Sequence, residues 1–239
     1  SQVIIALCIF LVPSILHSYL FQDKPKNYLK VNSRPSSSFV VLTILLMLAI
    51  QPFIYLAGYF NEQMVLPEFM SPIEEWMKES EESSKRLLSL FLADKSGLNY
   101  LLNIFVIAIV AGITEEFFFR GCLQQSVNKI VLNKNIAIWI TAFVFSTIHF
   151  QFYGFIPRML MGALLGYLFI WSGSIWLPVL AHTLHNMVNV ILMQVYYGTA
   201  EYDEMQNMNI DKHIWIGILS FAISCLLLFF LYKRRKPEV

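Results

Sequence analysis

Long charge-poor apolar runs, separated by short polar stretches, dominate the chain and predict an all-α membrane bundle of about seven transmembrane helices. The first run spans about Gln2–Phe21 and the second Phe39–Phe60, where Gln51-Pro52 should kink the helix because proline removes a backbone donor. The third starts near Leu98 and continues past Ile113 as one long helix to about Ile130. Asn135–Tyr153, Pro157–Trp171, Ile175–Tyr197 and Ile214–Tyr232 complete the set. In the fifth run, Gly162-Ala-Leu-Leu-Gly166 places two small residues one turn apart, so a neighbouring helix can approach closely.

The polar stretch Asn61–Gly97 behaves differently. Ser71-Pro72-Ile73-Glu74 reads as a capping box with proline at the first helical position, opening a helix over about 72–93 that ends near Gly97. Ile73, Trp76, Met77, Leu87, Leu88 and Phe91 fall on one face of it, with Glu and Lys opposite, as in an amphipathic helix lying in the membrane interface. It could gate access to a site or serve as a simple connector.

Composition agrees with the pattern. Of 239 residues, 57% are hydrophobic and 14% charged, which excludes an ordinary soluble domain, and no basic tract points to nucleic acid. The three cysteines lie in or beside apolar runs and imply no disulfide framework. The chain opens at Ser1 directly in an apolar run, so it reads as a fragment whose first run is a span and not a signal peptide. Residues 1–239 form a single integral membrane domain on this reading, with a catalytic core at about 98–197. Lys24–Arg34, Lys129/Lys134 and the terminal Lys233-Arg-Arg-Lys236 fall on one side under a seven-span count, whereas the acid-rich stretches Asn61–Gly97 and Gly198–His213 fall on the other. The positive-inside rule then puts the C-terminus in the cytoplasm of a bacterial-type cell membrane.

Against this background, Thr114-Glu-Glu-Phe-Phe-Phe-Arg120 is costly, because it puts two carboxylates and a guanidinium at the end of an apolar run. Glu116 and Arg120 stand at i,i+4 and can pair, whereas Glu115 is rotated by about 100° and stays free for chemistry. Phe145 and His149 also stand at i,i+4. In the sixth run His182, His185, Asn186 and Asn189 form a continuous polar stripe that cannot face lipid without leaving hydrogen bonds unmade. At about 1.5 Å per residue, Glu115 and His182 come to a common level in the inner half of the bilayer, while His149 comes out nearer the outer side.

Taken in order, Glu115-Glu116-x-x-x-Arg120, Phe145-x-x-x-His149 and His182-x-x-x-Asn186 resemble the motifs of the CAAX protease and bacteriocin-processing (CPBP, or Abi) family. The setting Ser174-Ile-Trp-Leu-Pro178 before Ala181-His182 is similar to the family's last motif. The resemblance covers about Asn99–Asn189. It implies an intramembrane endopeptidase with its site between helices, acting on a peptide or protein substrate in the bilayer, with Glu115, His149, His182 and Asn186 catalytic.

Elementary chemistry fits those roles. Hydrolysis needs a water, a base and oxyanion donors. Glu115 would be the base, His149 would hold the water, and His182 and Asn186 would face the oxyanion. Glu116, Arg120, Phe145 and His185 would support them, and His185-x-x-x-Asn189 offers a second register one turn on. Glu115, His149 and His182 could ligate zinc, but Asn186 is a poor zinc ligand and no H-E-x-x-H is present. The balance favours a metal-independent glutamate mechanism, with zinc left open as a cofactor. The alternatives from other classes are a proton-linked transporter, disfavoured by the lack of repeat symmetry, and a non-catalytic scaffold or immunity protein on the same fold.

Overall fold

The computed structural model describes residues 2–92, 94–199 and 210–235, without side chains for 210–213. The acidic connection 200–209 and the tail beyond 235, with Lys236, lie outside the described residues. Those residues form ten helices and no strand: α1 (Gln2–Phe21), α2 (Pro25–Tyr28), α3 (Ser37–Ala49), α4 (Gln51–Glu62), α5 (Ser71–Leu92), α6 (Gly97–Val131), α7 (Lys134–Thr147), α8 (Phe155–Ser172), α9 (Trp176–Tyr196) and α10 (Ile210–Lys233), with short 3-10 turns before α5 and α8.

Among the described residues, four helices are long and apolar enough to cross a membrane: α1, α6, α8 with its preceding turn, and α10. The bent pair α3–α4 makes a fifth if counted as one span. The chain is a helical, multi-pass integral membrane protein. The two helices that fall short of the seven expected do so for different reasons. At 14 residues, α7 is about 21 Å long against a hydrocarbon core of about 30 Å. With 21 residues α9 is long enough, but its His and Asn stripe makes it too polar. The predicted kink is present: α3 and α4 meet at 44° beside Pro52.

Two local expectations need correction. Ser71 has helical backbone angles and follows directly on a 3-10 turn, so it lies within the helix and is not its cap, and Glu74 instead pairs with Lys78 at 2.6 Å. Gly97 does not end α5; it opens α6, whose first turn is capped by the Ser96 hydroxyl accepting from the Asn99 N–H.

The core lies where α3, α8, α9 and α10 meet, around Leu46, Met47, Leu165, Leu168, Leu177 and Leu231. The two small residues of α8 do allow close approach. A Cβ at Gly162 would stand 3.2 Å from Ala142 Cα on α7, and one at Gly166 would stand 2.7 Å from the Gln124 side chain on α6. Both glycine carbonyls accept from α6, from Arg120 and Gln124 one turn apart. The helix α6 is therefore laced to α8 while α9 packs along its other side. Exposed Ile, Leu and Phe side chains on α1 and α10 face outward, as lipid contact requires.

Basic residues from four places, Lys30, Lys129, Lys134 and Arg235, line one cavity at the end of the bundle where α7 begins. The helix α5 packs at the other end, where α7 finishes, through the Trp76 ring against Phe150 and Phe152. A reporter active only in the cytoplasm should therefore be active when fused after Val239 and silent when inserted near Glu81. The reverse pattern would invert the orientation.

Candidate active site

Glu115 and Glu116 sit on α6 between two π-helical stretches, Ile104–Val110 and Phe117–Leu123, in which the backbone ladder is one residue wider than in an α-helix. Thr114, just before them, turns its hydroxyl back onto the Val110 carbonyl, as a polar side chain in an apolar helix does. The two carboxylates have different surroundings. Glu116 is fully buried, and its Oε1 accepts from Arg120 Nη1 at 2.8 Å and from His182 Nδ1 at 2.8 Å. Arg120, also fully buried, donates its other arm to the Gly162 carbonyl at 2.9 Å and lies over the Phe145 ring. Glu115 keeps 14% of its side chain open, and its Oε2 has no hydrogen-bond partner among the described residues; the nearest charged-type neighbour is His182 Nε2 at 3.9 Å.

A carboxylate only accepts, so His182 carries its proton on Nδ1 toward Glu116 and presents Nε2 toward Glu115. The Phe145 ring packs against His182 at 5.8 Å and against Phe119 at 5.0 Å, which fixes the imidazole from the side. One turn further along α9, Asn186 donates to the Ile107 carbonyl at 3.1 Å, inside the first π-helical stretch, and has one amide N–H and its oxygen left over.

The other histidines are placed differently from the sequence expectation. His149 is not within a span: α7 stops at Thr147, and His149 occupies the turn that follows, before Phe150 in the left-handed region at φ 52°. Its Nδ1 donates to the Phe145 carbonyl at 2.7 Å, which leaves Nε2 as an acceptor. His185 turns away from the carboxylates and accepts from Gln51 Nε2 at 3.2 Å, at the α3–α4 break, with Asn189 beside it.

The fold adds three residues that sequence reasoning passed over. Arg158, at the start of α8, bonds Gln151 through both arms, two residues beyond His149. A lone arginine after Pro157 in an apolar run was the available signal. Gln51 was read only as part of a kink. Asn61, buried at the end of α4, holds the loop after His149 by donating to the Phe152 carbonyl and accepting from the Ile156 N–H.

Close contact between α6 and α9 depends on Gly112, one turn before the carboxylates. A Cβ there would stand 2.5 Å from Thr183 Oγ1 and 3.1 Å from the Thr183 backbone nitrogen. Trimming Thr183 cannot relieve the second contact. Gly112→Ala should thus cost ~1–3 kcal/mol by forcing the helices apart, seen as a lower thermal midpoint in detergent, and Thr183→Ala should restore only part of it. A midpoint equal to that of the wild type would show that α9 yields without cost.

Both Nε2 atoms carry lone pairs, which is the form that a water or a metal would take. Yet among the described residues no three His, Cys, Asp or Glu side chains come together as a metal-holding group. The set Glu115, His149 and His182 does not fit zinc as it stands, and the chemistry proposed below runs through side chains and water.

Residues 97–188 match the family model described as "Type II CAAX prenyl endopeptidase Rce1-like". The match holds both carboxylates, Arg120, His149, His182 and Asn186, and it bears out the resemblance read from the motifs. Among curated proteins, the "Uncharacterized protein YpbD" of Bacillus subtilis (strain 168) is 23% identical over 134 residues. Those residues make up 52% of this chain, and the chain spans 62% of that relative's length. No solved structure gives a significant match.

Proposed function

We propose that this chain is an intramembrane endopeptidase of the CAAX-protease type, which hydrolyses a peptide bond with a water activated by Glu115. The observation that carries this reading is the division of labour between adjacent carboxylates. Glu116 is fully buried and its Oε1 accepts from both Arg120 and His182, whereas Glu115 is partly open, has no ion-pair partner other than the distant Nε2 of the same imidazole and so is left for chemistry.

In this mechanism, Glu115 takes a proton from a water whose other hydrogen is accepted by His149 Nε2. The water oxygen bonds to the substrate carbonyl carbon. The remaining amide N–H of Asn186 donates to the oxyanion. His182 Nε2 donates there after taking a proton from solvent before the substrate binds, and Glu116 at Nδ1 stabilises the resulting imidazolium, as a buried carboxylate behind a catalytic histidine does. As the C–N bond breaks, protonated Glu115 returns its proton to the departing amine. The family match, the buried Glu116–Arg120 pair and the convergence of α6 and α9 support the assignment.

The test is cleavage by the purified full chain in detergent, using a peptide panel with and without a lipidated cysteine near the C-terminus. Wild type should cut at least one peptide, and turnover should be unchanged by a chelator. Chelator-sensitive activity restored by added zinc would move the mechanism onto a metal. Substrate-free proton flux in liposomes, with no cleavage, would favour the transporter instead.

A further inference from the structure

Arg158 stands in the first turn of α8, and the packing of three helices fixes its level. Arg120 and Gln124 on α6 donate to the carbonyls of Gly162 and Gly166 on α8. Both pairs advance by four residues in the same direction, so the two helices run parallel and in step. One turn back, the same register sets Arg158 about level with Glu116 and its neighbour Glu115. On its other side α8 meets α7 antiparallel, with Ile138 against Gly166 and Ala142 against Gly162. That register carries Arg158 past Ser146, towards the turn that holds His149. Two hydrogen bonds tie the guanidinium to this turn, from Nη1 to the Gln151 carbonyl at 3.1 Å and from Nη2 to Gln151 Oε1 at 2.8 Å.

Arg158 thus reaches the candidate site with charge and donors to spare. Arg120, the other guanidinium at this level, is fully buried and spent on Glu116. Arg158 is only half-buried, and among the described residues no carboxylate lies within ion-pair distance of it. A guanidinium has five N–H donors, of which neutral Gln151 takes two. Of the three left, the one on Nε has no partner among the described residues and, unlike the Nε of Arg120, is not sealed from solvent. An uncompensated cation among membrane helices is costly and by default marks a functional site. The Nε–Nη2 edge offers two parallel donors, which is the fork that a carboxylate fits.

We propose that Arg158 binds a carboxylate of the peptide substrate and so selects what the site cleaves, an inference that rests on the endopeptidase reading above. A C-terminal α-carboxylate and the side chain of an Asp or Glu share the required chemistry. On that reading Asn186 and His182 hold the scissile carbonyl from α9. A carboxylate held from α8 fixes the peptide at a second point and sets its direction through the site. Glu115 repels any anion brought to its level, so Arg158 is what makes an acidic peptide acceptable there.

The test reads binding of short fluorescent apolar peptides by anisotropy, on the full chain carrying Glu115→Gln in detergent, and cleavage of the same peptides by the wild type. One pair differs in having a free or an amidated C-terminus. A second pair, amidated, carries Glu or Gln at each position in turn. One pair or the other should bind roughly 10- to 100-fold more tightly in its carboxylate form, the scale of a hydrogen bond to a charged group. A preference in the first pair identifies the terminus, and one in the second identifies the side chain. Adding Arg158→Gln should abolish the preference, and its thermal midpoint checks that the variant has folded. If it has not, Arg158→Lys takes its place: the charge stays, the fork is lost, and the preference should fall several-fold. In wild-type cleavage the preference should appear in KM, as binding shared by ground and transition states does. Equal or undetectable binding within both pairs, a preference undiminished in the folded variant, or an effect on kcat alone would overturn the proposal. An Arg158-dependent preference with no peptide cleaved would instead sink the endopeptidase reading and leave the carboxylate site standing.

Discussion

Glu115→Gln should abolish peptide hydrolysis and leave expression and thermal midpoint near those of wild type, while Glu116→Gln should cost the fold itself. The carboxylates are adjacent in sequence, yet their surroundings differ enough to separate the outcomes. Glu115 makes no hydrogen bond that a glutamine would lose, so the substitution removes a base and little else. Glu116 neutralises Arg120 at a point where neither side chain reaches solvent, and it also accepts from His182. Removing one partner of a buried pair leaves an uncompensated charge and typically costs about 3–5 kcal/mol. Paired thermal melts and turnover on one peptide decide the matter. Equal destabilisation of both variants would remove the basis for calling Glu115 the base.

The second large effect concerns the stripe on α9. His182→Ala and Asn186→Ala should each lower turnover by at least ~100-fold, the scale of a lost oxyanion donor. His185→Ala should lower it much less. The two His-x-x-x-Asn registers are indistinguishable by spacing, but they occupy different surroundings. His182 touches both carboxylates and the Phe145 ring, whereas His185 is engaged with Gln51 and Asn189. An inactive His185→Ala beside an active His182→Ala would shift the site by one turn and put Asn189 in the place of Asn186.

Much of this arrangement was legible in the residues, where local rules suffice. The i,i+4 spacing of Glu116 and Arg120, the proline break after Gln51 and the long run through Glu115 all depend on neighbours in sequence, and each appears as a pair, a bend or a continuous helix. What was not legible depends on distant contacts. The end of α7 before His149 is set partly from outside, because Asn61 and the Ser80 hydroxyl bind the carbonyls of Phe152 and Phe150. Gln51 meets His185 across 134 positions. The π-helical stretches on α6 have no compositional marker, and they place the Ile107 carbonyl opposite Asn186. The count of seven spans took apolar length as crossing length, and among the described residues four helices, or five with the bent pair, meet that measure.

That short helix bears on how water would reach the proposed hydrolytic site. Ile136, Trp139, Ile140 and Phe143 make the outer face of α7 apolar, so lipid must cover it, yet the helix is about 9 Å shorter than the hydrocarbon core. A bilayer meets such a shortfall by thinning against the protein. The thinned zone lies along the helix that delivers Phe145 and then His149. On the proposed mechanism, headgroups and their hydration would be drawn down toward the carboxylates there, where a peptide segment would lose its helical hydrogen bonds in a wetter layer. That local thinning would itself, on the same mechanism, be a route for water.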